Sequence, residues 1–335
     1  MAVLVTRPRL ALLVGAPRSG TTWLQSMLGA HRQVATPQET DLFSRYVQPL
    51  AEAWAWQLRG SPDDWAARRY KGLPAVLRTE EFNDLVRGVI DRVLDGVSAR
   101  APEADVVLEK SPAHSLCADV VADFASETRV IHLVRDGRDV ASSLVHASRA
   151  WGRGWAPSDL RAGAATWVRH VQGGRRYRLI GFLYREVRYE SLVSGDPAVL
   201  AELFDFLGVD VTEDECAAIR DSFSLERMRR GEGADPILIG GEFAEHARDR
   251  AEPEGFFGEG GAGGWRDSWE TRDRLLFQAV AGAELEHLGY EPDGRWAAGA
   301  TRTASYLVEV AARRAVGRAA RGIGRSGDRI TRGLP

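Results

Sequence analysis

The stretch from Leu10 to Gly29 constrains the fold of this chain more than any other. Leu10-Ala11-Leu12-Leu13-Val14 is continuously apolar and stops at Gly15, as a strand buried on both faces of a parallel sheet does. The run from Thr22 to Gly29 reads as a helix, so Gly15-Ala16-Pro17-Arg18-Ser19-Gly20-Thr21-Thr22 is a strand-to-helix turn. Glycine-permitted backbone amides and a helix N-terminus then surround one point, a geometry that binds phosphate. Gly15 and Gly20 are spaced as in a nucleotide triphosphatase loop, yet Thr21 stands where the lysine that reaches the β and γ phosphates belongs. A cation, Arg18, lies inside the loop instead.

Further strands are expected at Val106-Val107-Leu108, at Val130-Ile131-His132-Leu133-Val134 and near Glu186-Val187-Arg188-Tyr189, and helix-compatible segments lie between them. This alternation predicts an α/β fold with a central parallel sheet flanked by helices. Residues from about 43 to 100 form a helical stretch too long for a simple crossover, read as an inserted cap beside the site. Its tryptophans, Trp54, Trp56 and Trp65, are each a candidate for helix packing and together a candidate acceptor wall. Pro197 to Leu207 and Thr212 to Phe223 read as helices, the second with Thr212 as N-cap and Glu215 at the capping-box position. Residues 231–264 are rich in glycine and charge and read as a lid, followed by a helix from about Thr271 to Leu288. The expected organisation is one catalytic domain over 1–292 and a basic C-terminal tail over 293–335.

Hydrophobic residues at 44% and charged residues at 27% suit a globular chain with a sizeable core. The formal net charge of -3 offers no global attraction to nucleic acid, so no nucleic-acid partner is expected and anion binding must be local. Cys117 and Cys216 are too few for a disulfide framework and lack a metal-binding spacing. With no apolar run long enough to cross a bilayer, these features predict a soluble, cytoplasmic protein. From Arg313 to the end, Arg313, Arg314, Arg318, Arg321, Arg325, Arg329 and Arg332 are set against Asp328 alone among acidic residues. This tail reads as a solvated segment or as a basic helix making peripheral membrane contact.

Pro17-Arg18-Ser19-Gly20-Thr21-Thr22-Trp23 resembles the 5′-phosphosulfate loop of sulfotransferases that use 3′-phosphoadenosine 5′-phosphosulfate (PAPS). A second segment, Arg135-Asp136-Gly137-Arg138-Asp139-Val140-Ala141-Ser142-Ser143, leaves a strand end and is similar to that family's 3′-phosphate site. The resemblance implies a P-loop-type sulfotransferase fold with PAPS as donor and no metal requirement. It gives Arg18, Ser19, Gly20, Thr21, Thr22 and Trp23 to the phosphosulfate and Arg135 with Ser143 to the 3′-phosphate. Val187-Arg188-Tyr189-Glu190-Ser191-Leu192 resembles the family's Tyr-Glu-x-Leu segment, which makes Tyr189 a nucleotide contact or a strand-end core tyrosine. Gly264-Trp265-Arg266 is similar to the end of the family's cofactor lid, although the Arg-Lys-Gly run of cytosolic members is absent. Trp265 and Arg266 are the candidates there. Arg138 is expected as a surface charge, and Asp136 and Asp139 as helix caps.

Sulfuryl transfer to an alcohol needs a base for the hydroxyl proton and cations near the sulfuryl oxygens. Glu39, Glu109, His114 and His132 all lie near expected strand or helix ends, and position alone leaves them open. The segment His31 to Thr40 is similar in placement to the catalytic glutamate segment of tyrosylprotein and heparan sulfate sulfotransferases, which points to Glu39. Cytosolic sulfotransferases use a histidine in a Lys-x-His segment. The nearest counterpart here, Lys110-Ser111-Pro112-Ala113-His114, makes His114 the alternative. By resemblance Lys110 approaches the sulfuryl group, with Glu109 expected to position it through an ion pair. The expected catalytic set is Glu39, Lys110 and Arg18, and the acceptor is a hydroxyl on an unidentified small molecule, glycan or lipid. The sequence leaves two rivals, a kinase-like phosphotransferase and a noncatalytic PAP-binding scaffold.

Overall fold

A computed structural model describes residues 7–59, 71–232, 235–249, 252–253, 255–257 and 261–290. Trp65 and the arginine-rich stretch after Pro292 lie outside the described residues. The chain divides into two compact units after Gly263, inside the glycine-rich stretch.

Six strands build the sheet of the first unit: β1 (Arg9–Gly15), β2 (Val34–Pro37), β3 (Val106–Glu109), β4 (Arg129–Val134), β5 (Leu183–Arg188) and β6 (Ile237–Leu238). They lie in the order β5-β4-β1-β3-β2-β6, and each neighbouring pair is parallel. β1 is registered against β3 from Arg9 opposite Val106 to Leu12 opposite Glu109, and against β4 from Ala11 opposite Arg129 to Gly15 opposite Leu133. Parallel pairing brings the carboxyl ends of all these strands to one edge, where open α/β sheets bind ligands. β1 sits between β3 and β4, so the phosphate loop leaves the middle of that edge.

Side-chain alternation along β1 feeds two cores. Ala11 and Leu13 face a cluster with Trp23, Leu24, Met27, Phe204 and Leu207, while Leu12 and Val14 face one with Phe43, Phe82, Val86, Ile90 and Tyr177. Leu12 and Leu13 are fully enclosed, so truncating either to alanine is expected to cost about 2–5 kcal/mol. The helices that matter to the site are α1 (Thr21–Gly29), α2 (Gln48–Arg59), α3 (Thr79–Ser98), α4 (Gly137–Arg149) and α5 (Leu160–Ile180). In α3, Phe82, Val86, Ile90, Leu94 and Val97 recur at helical spacing and are the buried residues of the element. That stripe shares the core of Leu12 and Val14, so α3 is the helix that crosses from β2 to β3 and covers the sheet. Trp54 in α2 stacks on Phe82 with ring centroids 4.3 Å apart and is core, whereas Trp56 is exposed.

The helices expected later in the chain occur as Pro197–Leu207 and Glu213–Ser222. The second carries the reciprocal capping box, with Thr212 Oγ1 accepting from the Glu215 amide and Glu215 accepting from the Thr212 amide. In the second unit, Trp265–Ser268 and Thr271–His287 are helical. Among the described residues, no helix is long and apolar enough to cross a membrane.

Candidate active site

The loop after β1 has an unusual backbone. The Ser19 amide donates to the Ala16 carbonyl at 3.1 Å, and Gly20 has φ of 94°. A Cβ on Gly20 would lie 2.6 Å from the Tyr189 ring, so glycine is required by both conformation and space. Arg18 also takes a left-handed φ, 72°, which costs a non-glycine residue about 1–3 kcal/mol and marks a conformation held by its surroundings. The Ser19 side chain is buried, and its Oγ has no hydrogen-bond partner among the described residues.

On the β4 side of the loop, Arg135 follows the strand end. It donates to the Arg18 carbonyl at 3.3 Å and to the Gly261 carbonyl at 3.1 Å, and its guanidinium lies 4.3 Å from the centre of the Tyr189 ring. Arg135 Nε is buried with no partner among the described residues. Ser143, in α4, accepts from Arg18 Nε at 3.0 Å. Arg18 also donates to the Phe256 carbonyl and lies over the rings of Phe256 and Trp151, at 4.5 and 5.0 Å from their centres. Burial, with the nearby positive charge of Arg135, pushes the Arg18 guanidinium down to about 10. Two close guanidiniums, an unpartnered Nε and an unpartnered hydroxyl are donors suited to a phosphate-bearing ligand. Tyr189 is buried and edge-on to Trp23 at 5.6 Å, and Trp23 Nε1 donates to the Phe223 carbonyl. Tyr189 is thus a core residue whose ring also lies against the Arg135 guanidinium.

Two of the three expectations for this segment need correction. Arg138 is buried, not a surface charge, and donates to both carboxylate oxygens of Asp136. Asp136 does cap α4, accepting from the Arg138 amide at 2.9 Å. Asp139 instead accepts from the Gly263 amide at 2.7 Å and so holds the end of the glycine-rich stretch.

On the β3 side, Glu39 follows β2 and Lys110 follows β3. Lys110 Nζ donates to Glu39 Oε1 and, at 3.2 Å, to Thr22 Oγ1 in the phosphate loop. The Lys110 side chain is 2% exposed and that of Glu39 41%. The expected ion pair between Glu109 and Lys110 is therefore not formed. Consecutive residues of an extended strand project to opposite sides, and Glu109 turns away from the loop. It accepts from the Thr40 amide at 3.0 Å, from Thr40 Oγ1 and from Ser111 Oγ at 2.9 Å, while its second oxygen meets His114 Nδ1 at 2.9 Å. Burial alone would push the Glu109 carboxyl up, but His114 and Thr40 outweigh it and hold the group below its ordinary range. His114 is fully enclosed, and its Nε2 accepts from the Phe43 amide at 3.1 Å. That contact uses the lone pair a base would need and assigns the ring proton to Nδ1. His132 is likewise enclosed, with Nδ1 2.6 Å from the Tyr184 hydroxyl.

The structure thus brings Glu39, Lys110 and Thr22 together, and Arg18, Arg135, Ser143 and Tyr189 together, on the two sides of one loop. Arg18 reaches toward Ser143, Phe256 and Trp151 rather than toward Glu39 or Lys110. Trp265 and Arg266 belong to the second unit, where Trp265 is buried against Trp269, and Arg274 donates to the Arg266 carbonyl. Sequence reasoning missed Thr40 and Ser111, ordinary polar residues with no motif of their own, and Trp151 with Phe256, which come from loops far apart in the chain.

A family model described as "Sulfotransferase family" matches residues 11–214, more than half of the chain. The chain belongs to the sulfotransferase family. Within this family, it is 25% identical over 203 residues to protein-tyrosine sulfotransferase A of Caenorhabditis elegans, an alignment covering 58% of this chain and 48% of that protein. An uncharacterized protein of Aquifex aeolicus is 26% identical over 203 residues, 58% of this chain and 25% of that one. The chain therefore spans half or less of the length of these curated relatives. Among solved structures, mouse sulfotransferase SULT7A1 complexed with PAP superposes with a TM-score of 0.53 at 16% identity, covering 84% of this chain and 86% of that chain. The sulfotransferase domain from the curacin biosynthetic pathway gives 0.50 at 18%, covering 86% and 100%. At these identities the superpositions speak for the fold, which is that of sulfotransferases.

Proposed function

We propose that this sulfotransferase-family chain transfers the sulfuryl group of PAPS to a hydroxyl, releasing PAP and a sulfate ester. The observation that carries the reading is the contact of Lys110 with both Glu39 and Thr22, which sets a carboxylate and an ammonium beside a loop built for an anion. The loop amides and Ser19 would hold the 5′-phosphosulfate, and Arg135 with Ser143 the 3′-phosphate. Arg18, whose guanidinium lies beside Ser143, would contribute a further cation to donor oxygens at that end of the loop.

Glu39, the more exposed partner of the pair, accepts the acceptor's hydroxyl proton. The acceptor oxygen forms a bond to sulfur as the bond between sulfur and the bridging phosphate oxygen breaks, and that oxygen leaves on PAP. Lys110 offsets the negative charge on the sulfuryl oxygens and the bridge oxygen. The proposal uses no metal. It also reads the protein as cytoplasmic, in keeping with two buried free thiols, Cys117 and Cys216. The acceptor is a small molecule, glycan, lipid or phenol, and the name of the Caenorhabditis relative makes a phenolic hydroxyl one class to include. The test is release of PAP from PAPS upon addition of candidate acceptors, with ATP and magnesium as the competing donor. ATP-dependent phosphorylation without PAP release would favour a kinase. PAP binding without any transfer would favour a scaffold.

A further inference from the structure

We infer that Glu109 is a positioning residue that clamps the Glu39 segment to the Lys110 segment, acting through Thr40, Ser111 and His114. The inference rests on the reading of Glu39 and Lys110 as the reacting pair. A carboxylate that is 2% exposed is costly unless it is partnered, and here three donors converge on one of its oxygens, the Thr40 amide, Thr40 Oγ1 and Ser111 Oγ, while His114 Nδ1 lies 2.9 Å from the other. These donors are not scattered. Thr40 is the residue after Glu39, and Ser111 is the residue after Lys110.

The bonds also run in one direction through shared atoms. The Asp41 amide donates to Ser111 Oγ at 3.0 Å, and Ser111 Oγ donates onward to Glu109. The Phe43 amide donates to His114 Nε2, which leaves the ring proton on Nδ1, 2.9 Å from the second oxygen of Glu109. Three amides of one segment, at Thr40, Asp41 and Phe43, are thereby tied to side chains of another, Glu109, Ser111 and His114. β2 alone holds the Glu39 segment weakly, because it is four residues long and pairs with β3 only at Val34 and Ala35. Past that pairing, Thr36 Oγ1 donates to the Leu108 carbonyl of β3 and β2 pairs with β6 as far as Pro37, and from Thr40 onward the clamp adds the polar ties that set Glu39 against Lys110. A displacement near 1 Å of a group in the reacting geometry can slow turnover about a hundredfold, so a fixed separation has catalytic value.

A glutamine cannot replace Glu109 in this network. Its amide would turn a donor toward His114 Nδ1–H, and the alternative ring tautomer would set Nε2–H against the Phe43 amide. The test compares wild type, Glu109→Gln, Thr40→Val, Ser111→Ala and Glu109→Gln/Thr40→Val. It reads kcat, the donor KM, PAP affinity, and amide exchange of the peptide spanning residues 38–44. Positioning predicts that Glu109→Gln lowers kcat about 10- to 100-fold with donor KM and PAP affinity within about twofold. Exchange over 38–44 should rise at least about fivefold while β1 and α1 are unchanged, and the double variant should be no slower than Glu109→Gln alone. A kcat within twofold of wild type, unchanged exchange over 38–44, or a double variant slowed by the product of the single effects would each overturn it. If Glu109→Gln does not fold, Thr40→Val and Ser111→Ala decide the matter, each expected to slow turnover about three- to tenfold at unchanged PAP affinity and refuted by wild-type turnover. A wild-type protein that transfers no sulfate counts against the proposed function, and the exchange over 38–44 still decides whether the clamp exists.

Discussion

Replacing Glu39 with glutamine keeps the side chain's size and its oxygen for Lys110 while removing the proton acceptor. Two costs follow, and the structure separates them. General-base catalysis contributes about a hundredfold to ten-thousandfold, equivalent to about 3–5 kcal/mol of barrier. Breaking a fully buried ion pair would cost about 3–5 kcal/mol of stability, but with Glu39 at 41% exposure the pair is screened on one side and the loss should be about 1 kcal/mol. Lys110 keeps its contact with Thr22 Oγ1, so the loop retains its neighbour. The variant should therefore fold, bind PAP within about threefold of wild type, and turn over at least about a hundredfold more slowly. Turnover is read as PAP release under saturating donor, affinity by calorimetry and stability by urea titration. Near-wild-type turnover in a folded Glu39→Gln protein would refute the assignment. A parallel loss of PAP affinity would move Glu39 from proton transfer to donor binding.

Three other perturbations test other parts of the site. Arg135→Ala should weaken PAP binding by about 2 kcal/mol, roughly thirtyfold, through lost charge-assisted contacts. It should change binding of adenosine 5′-phosphosulfate little, and equal losses for both would remove Arg135 from the 3′-phosphate. Arg18→Gly relieves the left-handed backbone while deleting a guanidinium, so stability should stay within about 1 kcal/mol as PAP affinity and turnover fall. Stability loss at unchanged affinity would make Arg18 a structural residue. His170 is pushed down from 6.5 to about 4 by burial, only partly offset by the Pro112 carbonyl, with Arg169 and His132 adding to the lowering. Because the folded value is depressed, the unfolded chain binds the extra proton between those values. Stability is then lost as pH falls from about 6.5 toward 4, by about 3 kcal/mol in all. Denaturant titrations at pH 7 and 5 should show a smaller decline for His170→Gln than for wild type, and an identical decline would refute the reasoning.

The parts of the fold and site that could be read from sequence were those in which a local pattern carries the physics. The apolar run before Gly15, the missing lysine at Thr21 and the strand-to-helix turn at Arg135 announced a parallel sheet with an anion loop at its edge. The capping box at Thr212 and Glu215 was visible because both partners lie within one helical turn. β2 and β6 were not anticipated, being four and two residues long, with Pro37 closing β2. The expected pairing of Glu109 with Lys110 failed because adjacency in sequence opposes contact in a strand. The surface role expected of Arg138 failed because Asp136, two residues away, neutralises it in the interior. Thr40, Ser111 and His114 meet only after β2 and β3 are side by side, and no spacing in the chain encodes that neighbourhood.

The most direct test of donor and reaction together uses PAPS labelled in the sulfuryl group, incubated with the full chain and a fractionated cell extract containing glycans, lipids, phenols and peptides. The account predicts label appearing in at least one acceptor fraction, with PAP released in equal amount, and both lost in Glu39→Gln. Release of PAP without labelled product, or labelling that persists undiminished in Glu39→Gln, would contradict it.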